Sequence, residues 1–273
     1  MKNFSNEESF TRDTNLKRCG GMNKTIDIQN IPIHYKITGS GPNLLLLHGW
    51  GCDLEIFKPI QDHFSQRFTT YSIDFPGFGK TPNPPEPWST EEYAALTEQF
   101  ISALNITNPI LLGHSFGGRV SIRLSAKHAS IQKVILTGGA GLKPKRKLDY
   151  YVKVYSYKII KNIFKLPILR NYSEQVLEKY RKKSGSSDYK NASGVMRQTL
   201  VKVVNEDLRH LLPKMQASTL LVWGEHDTAT PLAHAKIMEK EIPDAGLAVL
   251  KNTGHYGFLE KRAEFLIIVD HFI

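Results

Sequence analysis

A serine hydroxyl attacks a carbonyl only when a base takes its proton, so such chemistry needs a serine on an exposed turn, a histidine and a carboxylate. Gly113-His-Ser115-Phe-Gly117 supplies the serine in the pattern G-x-S-x-G. Glycine and serine are common, so the bare pattern is a weak signal. Its flanks strengthen it. Ile110–Leu112 reads as a strand and Phe116–His128 as a helix, and a tight turn between them pushes the hydroxyl out at the sheet edge. A side chain at 113 or 117 would clash where strand and helix approach.

Ten histidines are available as the base. His255 stands out because Thr253-Gly-His255 follows the last predicted strand, Leu247–Leu250, in a loop at its C-terminal end. Loops at that end of a parallel sheet share one rim, where ligands bind. Asp227, in Trp223-Gly-Glu-His-Asp227, follows the strand Thr219–Trp223 onto the same rim, with Glu225 as its near rival for orienting the imidazole. The oxyanion of a tetrahedral intermediate needs N–H donors. His48-Gly-Trp50-Gly51 follows the strand Leu44–Leu47, and the backbone N–H groups of Trp50 and Phe116 are the expected pair. The Trp50 indole either walls the pocket or simply packs. His48 reads as a structural hydrogen-bonding residue, and Asp74, before a Pro-Gly turn, as a turn-former.

The elements that would position these residues alternate. Thr25–Gln29 and Ile31–Thr38 have the pattern of paired antiparallel strands. Leu44–Leu47 is a continuous apolar run, as in a strand buried on both faces. Asp53–Ser65 has helical spacing, Thr69–Ile73 reads as a strand, and the proline-rich Thr81–Pro87 excludes helix. Ser89 or Thr90 can cap the next helix, with Glu91 and Glu92 at its positive end. After the strand Val134–Leu136 the alternation stops. Residues 141–213 read as helices with polar joints such as Lys183–Asp188. Alternation resumes with Thr219–Trp223, a helix after Pro231, Leu247–Leu250 and a last helix from Glu260. Repeated strand–helix units predict a mostly parallel sheet with helices on both faces.

Composition narrows the class. Of 273 residues, 41% are hydrophobic and 23% charged, a globular balance that can bury a core without disulfides or metals. Cys19 and Cys52 form neither a disulfide framework nor a zinc cluster and fit a reducing, cytoplasmic setting. No apolar run is long enough for a membrane span. Residues 1–21 lack the apolar stretch of a secretory signal and read as a loose extension. The net charge of +10 resides in one place: residues 141–215 hold 18 Lys+Arg against 6 Asp+Glu. No nucleic-acid motif accompanies them, so nucleic acid is not an expected partner. Within the segment, Leu148–Leu166 has helical length, with lysines on one face and Val152, Tyr155, Ile159 and Ile163 on another. Such a helix can touch an anionic membrane, but the ordinary reading is a lid helix with its apolar face on the core. Seven of the eleven tyrosines fall between Tyr150 and Tyr189, placed to line a pocket, and the positive field would draw anionic substrates.

Taken together, His48-Gly-Trp50, Asp74-Phe-Pro-Gly-Phe-Gly79, Gly113-His-Ser-Phe-Gly-Gly118, Gly224-Glu-His-Asp227 and Gly254-His255 resemble the α/β-hydrolase superfamily, from Asn23 to the C-terminus. The resemblance implies a mostly parallel eight-stranded sheet, a helical cap inserted after the sixth strand, a Ser115–His255–Asp227 triad and no cofactor or metal. The expected division is a core of 22–140 and 214–273 with a lid of 141–213. Serine at the elbow speaks against dehalogenases and epoxide hydrolases, which look similar but place aspartate there. Carboxylesterases, lactonases, lipases, C–C bond hydrolases and a menaquinone-pathway lyase share the serine. Arg119 is the one residue similar to that lyase, and its ordinary reading is a helix-surface ion-pair partner. The expected activity is hydrolysis of a small-molecule carboxylic ester. Its rivals are C–C cleavage by the same triad and slow or absent turnover in a ligand-binding protein on this fold.

Overall fold

The computed structural model describes residues 21–143 and 187–273. Eight strands form one sheet: β1 (Met22–Ile28), β2 (Ile31–Thr38), β3 (Asn43–Leu47), β4 (Thr69–Ile73), β5 (Ile110–His114), β6 (Lys133–Thr137), β7 (Ser218–Gly224) and β8 (Ala245–Leu250). Their order is β1-β2-β4-β3-β5-β6-β7-β8. β1 pairs antiparallel with β2, and β2 antiparallel with β4; every later pairing is parallel. The central strands are short and apolar because helices cover both faces. Leu44 and Leu46 turn to one face, with Phe57, Ile60, Phe64, Phe258 and Phe265. Leu45 and Leu47 turn to the other, with Tyr93, Phe100, Phe116, Val120 and Met238. This division is the two-residue period of a strand expressed as two cores. Each fully buried leucine contributes roughly 2 kcal/mol of transfer free energy.

The first core face is covered by α1 (Lys58–Phe64) and α8 (Arg262–Phe272), the second by α2 (Thr90–Ala103) and α3 (Phe116–Lys127). α2 starts at a capping box: the Ser89 hydroxyl accepts from Glu91 N, and the Glu92 carboxylate accepts from Ser89 N. The helix expected over Asp53–Ser65 is instead divided. Asp53 caps a 3₁₀ turn over Leu54–Phe57, and α1 begins only at Lys58, where Pro59 suits a first helical turn. The last helix, expected from Glu260, is α8, and a short α7 (Gly257–Glu260) precedes it. Between β6 and β7 lie α4 (Ser187–Asn191), which begins inside the segment expected as a polar joint, and α5 (Gly194–Asn205). A 3₁₀ turn over Arg209–Lys214 then leads into β7, and α6 (Leu232–Glu241) connects β7 to β8. Residues 1–20 of the expected N-terminal extension, the Leu148–Leu166 helix and six of the seven clustered tyrosines lie outside the described residues.

α5 returns to the sheet by specific contacts. Met196 occupies the space beside Gly77, where a Cβ would stand 2.3 Å from its sulfur. Thr199 Oγ1 accepts from Trp88 N at 3.2 Å. At the end of α5, the Glu206 carboxylate accepts from Thr90 N at 2.9 Å, from the Thr90 hydroxyl, and from Arg123 Nη2 at 3.2 Å.

Candidate active site

Ser115 occupies the turn between β5 and α3 with φ 49° and ψ −107°. A left-handed φ on a non-glycine residue costs of order 1–3 kcal/mol and persists only where surrounding contacts enforce it. Here they do. Ser115 N donates to Thr137 O at 3.3 Å, and Ser115 O accepts from Gly118 N at 3.0 Å and Ala140 N at 2.9 Å. A Cβ on Gly117 would lie 1.9 Å from Leu47 O, and one on Gly113 2.5 Å from Ser121 Oγ. Both glycines are thus required by close approach, as the sequence predicts. Ser115 remains partly exposed.

His255 and Asp227 meet at the ends of neighbouring strands. His255 Nδ1–H donates to Asp227 Oδ2 at 2.8 Å, which leaves the lone pair on Nε2. Asp227 is held on all sides: Oδ1 accepts from Ala229 N and Thr230 N, each at 2.9 Å, and Oδ2 lies 2.8 Å from Thr230 Oγ1. Burial pushes this carboxyl up, but hydrogen bonds from His255 and Thr230 outweigh it and hold it below the usual aspartate range. The Thr230 hydroxyl also reaches Gly138 O at 3.0 Å. Gly138 follows Thr137, the residue bonded to Ser115 N, and a Cβ there would stand 3.1 Å from His255 Nδ1. The end of β6 therefore separates the serine turn from the His–Asp pair by one backbone width. Glu225 turns elsewhere, accepting from Asn252 N at 3.0 Å.

The loop after β3 is fixed by His48, which is fully buried. Its Nδ1–H donates to Gly49 O at 2.7 Å and its Nε2 accepts from Phe75 N at 3.0 Å. Burial lowers its pKa, consistent with a neutral structural imidazole. Cys52 N donates to Gly49 O at 3.2 Å and closes the turn that presents Trp50 N. Among the described residues neither Trp50 N nor Phe116 N has a hydrogen-bond partner; the latter is an orphan donor of the first turn of α3. The Trp50 indole does pack, edge to face, on Phe78 at 4.9 Å and Phe116 at 5.6 Å, yet it stays partly exposed. Asp74 accepts from Leu54 N at 2.7 Å and Lys80 N at 2.9 Å, as a turn-former would, and also from His34 Nδ1 at 2.7 Å.

Arg119 differs from the sequence reading. It is not a surface residue but 5% exposed, and it donates to the backbone carbonyl of Glu206 at 3.2 Å. Burial lowers its pKa to about 10, so it remains charged. The reason is the returning end of α5, which covers this part of α3 and which no local pattern around residue 119 foretells.

Three neighbours escape the sequence reading altogether. His114 is 1% exposed, donates from Nδ1 to Thr137 O at 2.9 Å and packs its ring 4.7 Å from that of His255. Burial, then the nearby His255, lower its pKa to about 3. Thr230 follows Asp227 by three residues, a spacing at which a hydroxyl commonly bonds back to an aspartate, so a local signal did exist. Tyr256 lies against both histidine rings, at 5.1 Å and 5.5 Å, and its hydroxyl is 3.8 Å from Cys52 Sγ. The charge of Asp188, in α4, also acts on Cys52 and Tyr256. Among the described residues no three His, Cys, Asp or Glu side chains are grouped to hold a metal ion, and no helix is long and apolar enough to cross a membrane.

The family model for the alpha/beta hydrolase fold matches residues 42–262. The chain belongs to this family. The pimeloyl-[acyl-carrier protein] methyl ester esterase of Nitrosomonas europaea is 25% identical over 256 residues, covering 87% of this chain and 98% of the relative. The esterase of Exiguobacterium antarcticum superposes with a TM-score of 0.72 at 23% identity, over 92% of this chain and 99% of that one. A meta-cleavage product hydrolase from Pseudomonas fluorescens superposes with a TM-score of 0.69 at 19% identity, over 91% and 96%. This is a hydrolase family with esterase relatives, and the eight-stranded, mostly parallel sheet with flanking helices is its fold.

Proposed function

We propose that this chain is a serine hydrolase that cleaves a carboxylic ester of a small molecule through an acyl-enzyme. Ser115 attacks the carbonyl while His255 Nε2 takes its proton, and Asp227 keeps the imidazole in the Nδ1–H tautomer. The Trp50 and Phe116 amides receive the oxyanion. His255 then protonates the departing alcohol and later activates water. Residues 141–213 act as a cap, with α5 seated by Met196 and Thr199. The observation that carries the reading is the enforced left-handed Ser115 turn beside a His255–Asp227 pair bonded at 2.8 Å. Ester hydrolysis is preferred over the lyase reading because the Arg119 guanidinium is engaged with Glu206 O.

The test is labelling with a fluorophosphonate, followed by p-nitrophenyl esters of graded acyl length. Ser115→Ala should abolish labelling and turnover. His255→Ala should abolish turnover in a protein that still folds, at a cost of about 1.5–3 kcal/mol for the hydrogen bond lost from Asp227. A folded protein that neither labels nor cleaves any ester would favour a binding role, and cleavage of a vinylogous diketone without ester cleavage would favour C–C hydrolysis.

A further inference from the structure

The base must serve two oxygens in turn, Ser115 Oγ and the oxygen of the departing alcohol, so the alcohol portion of an ester has to lie on the His255 side of the carbonyl. Tyr256 borders that side. Its ring stands edge to face with His255, and its hydroxyl arches to Cys52, two residues beyond Trp50 in the turn after β3. Leu259 N and Glu260 N donate to Tyr256 O at 2.8 and 3.0 Å, fixing the backbone from which the ring projects. The residue is 39% exposed, so its outer edge is open to a ligand.

This phenol is poorly satisfied. Among the described residues its one hydroxyl partner is a thiol sulfur at 3.8 Å, and sulfur is a weak hydrogen-bonding group. Burial and the neighbouring thiol raise its pKa to about 12, so it stays a neutral donor and acceptor at any working pH. An alcohol hydroxyl would be a better partner than Cys52. Elsewhere on the loop after β3 the surface is apolar: the Trp50 indole leans on Phe78 and Phe116.

We propose that Tyr256 is a specificity-determining residue whose hydroxyl binds a second hydroxyl on the alcohol portion of the substrate, vicinal to the ester oxygen. The substrate class is then an ester of a diol or polyol and not of a plain alkyl alcohol. The inference rests on the serine-hydrolase reading. Tyr256 moves no proton. The Ser115 Oγ–C bond forms, the C–O bond to the alcohol breaks, and the proton from Ser115 passes through His255 to the departing oxygen.

The experiment compares 2-hydroxyethyl and n-propyl esters of one acid, with the acyl group that the p-nitrophenyl series selects. The two esters have alcohols of equal length and form the same acyl-enzyme, so only acylation can distinguish them. The wild-type chain should favour the hydroxyethyl ester in kcat/KM by about fivefold, the range of one neutral hydrogen bond. Tyr256→Phe should lower the hydroxyethyl value about fivefold and the propyl value less than twofold, bringing the ratio near one. Cys52→Ala, which releases the phenol from its thiol partner, should keep or raise the ratio. Equal wild-type values overturn the proposal. So does an equal loss on both esters in Tyr256→Phe, which would make Tyr256 a support for His255 and no reader of the alcohol. Failure of the underlying reading looks different: Ser115→Ala would still cleave both esters, and no fluorophosphonate label would attach.

Discussion

Replacing Thr230 by Val removes one hydroxyl from beneath the His255–Asp227 pair and little else. The residue is 6% exposed, the volume is nearly kept, and the backbone bond from Thr230 N to Asp227 Oδ1 survives. The hydroxyl has one hydrogen, for which Asp227 Oδ2 at 2.8 Å and Gly138 O at 3.0 Å compete. A hydrogen bond to a charged group contributes about 1.5–3 kcal/mol, and Asp227 retains three other donors, so a loss of about 2 kcal/mol is expected at pH 7. The sign with pH follows from linkage. The folded carboxyl titrates below its ordinary value near 3.8, so its contribution is complete above that value and fades as pH falls through the lower folded value. Valine makes the folded carboxyl less acidic, so the stability gap between variant and wild type should narrow below about pH 3.8. Urea denaturation at pH 7 and at pH 3 measures this. Turnover should fall roughly tenfold, because the imidazole keeps its principal partner; for comparison, Asp227→Asn, which presents the wrong tautomer, should cost about 10⁴ in kcat. A gap that is the same at both pH values, or a Val variant as active as wild type, would rule out this role for the Thr230 hydroxyl.

Gly117→Ala places a methyl 1.9 Å from Leu47 O, a backbone atom of a central strand that cannot yield; a loss of at least about 3 kcal/mol is expected, read as a large fall in thermal midpoint and soluble yield. Glu206→Ala leaves the first N–H of α2 uncapped and Arg123 with the Thr90 hydroxyl and the exposed Glu91, and should cost about 1–2 kcal/mol in thermal unfolding while Ser115 labelling persists. The acid limb of the pH profile of kcat/KM should have a slope of one: His114 protonates only at about pH 3 and the pKa of buried His48 is lowered, so neither adds a second proton to it, and a slope of two would show that one does.

Much of this site was legible along the chain because strand, tight turn and helix each leave local marks. Gly113 and Gly117 are required by atoms within a few ångströms, Leu44–Leu47 announces a strand buried on both faces, and each of Ser115, Asp227 and His255 follows the C-terminal end of a parallel strand. Where the reading failed, the cause was either a local cap or a contact distant in the chain. The Asp53–Ser65 helix divides because Asp53 caps a short 3₁₀ turn ahead of Pro59, a choice periodicity does not register. Arg119 is buried by a residue 87 positions away. Tyr256 meets Cys52 across 204 positions, so nothing near either residue advertises the contact. Residue types and their spacing determined which chemistry was available and the order in which its parts occur. The folded sheet alone decided which side chains touch, because hydrogen bonds and ring contacts act over a few ångströms and only parallel pairing brings separate strand ends within that range.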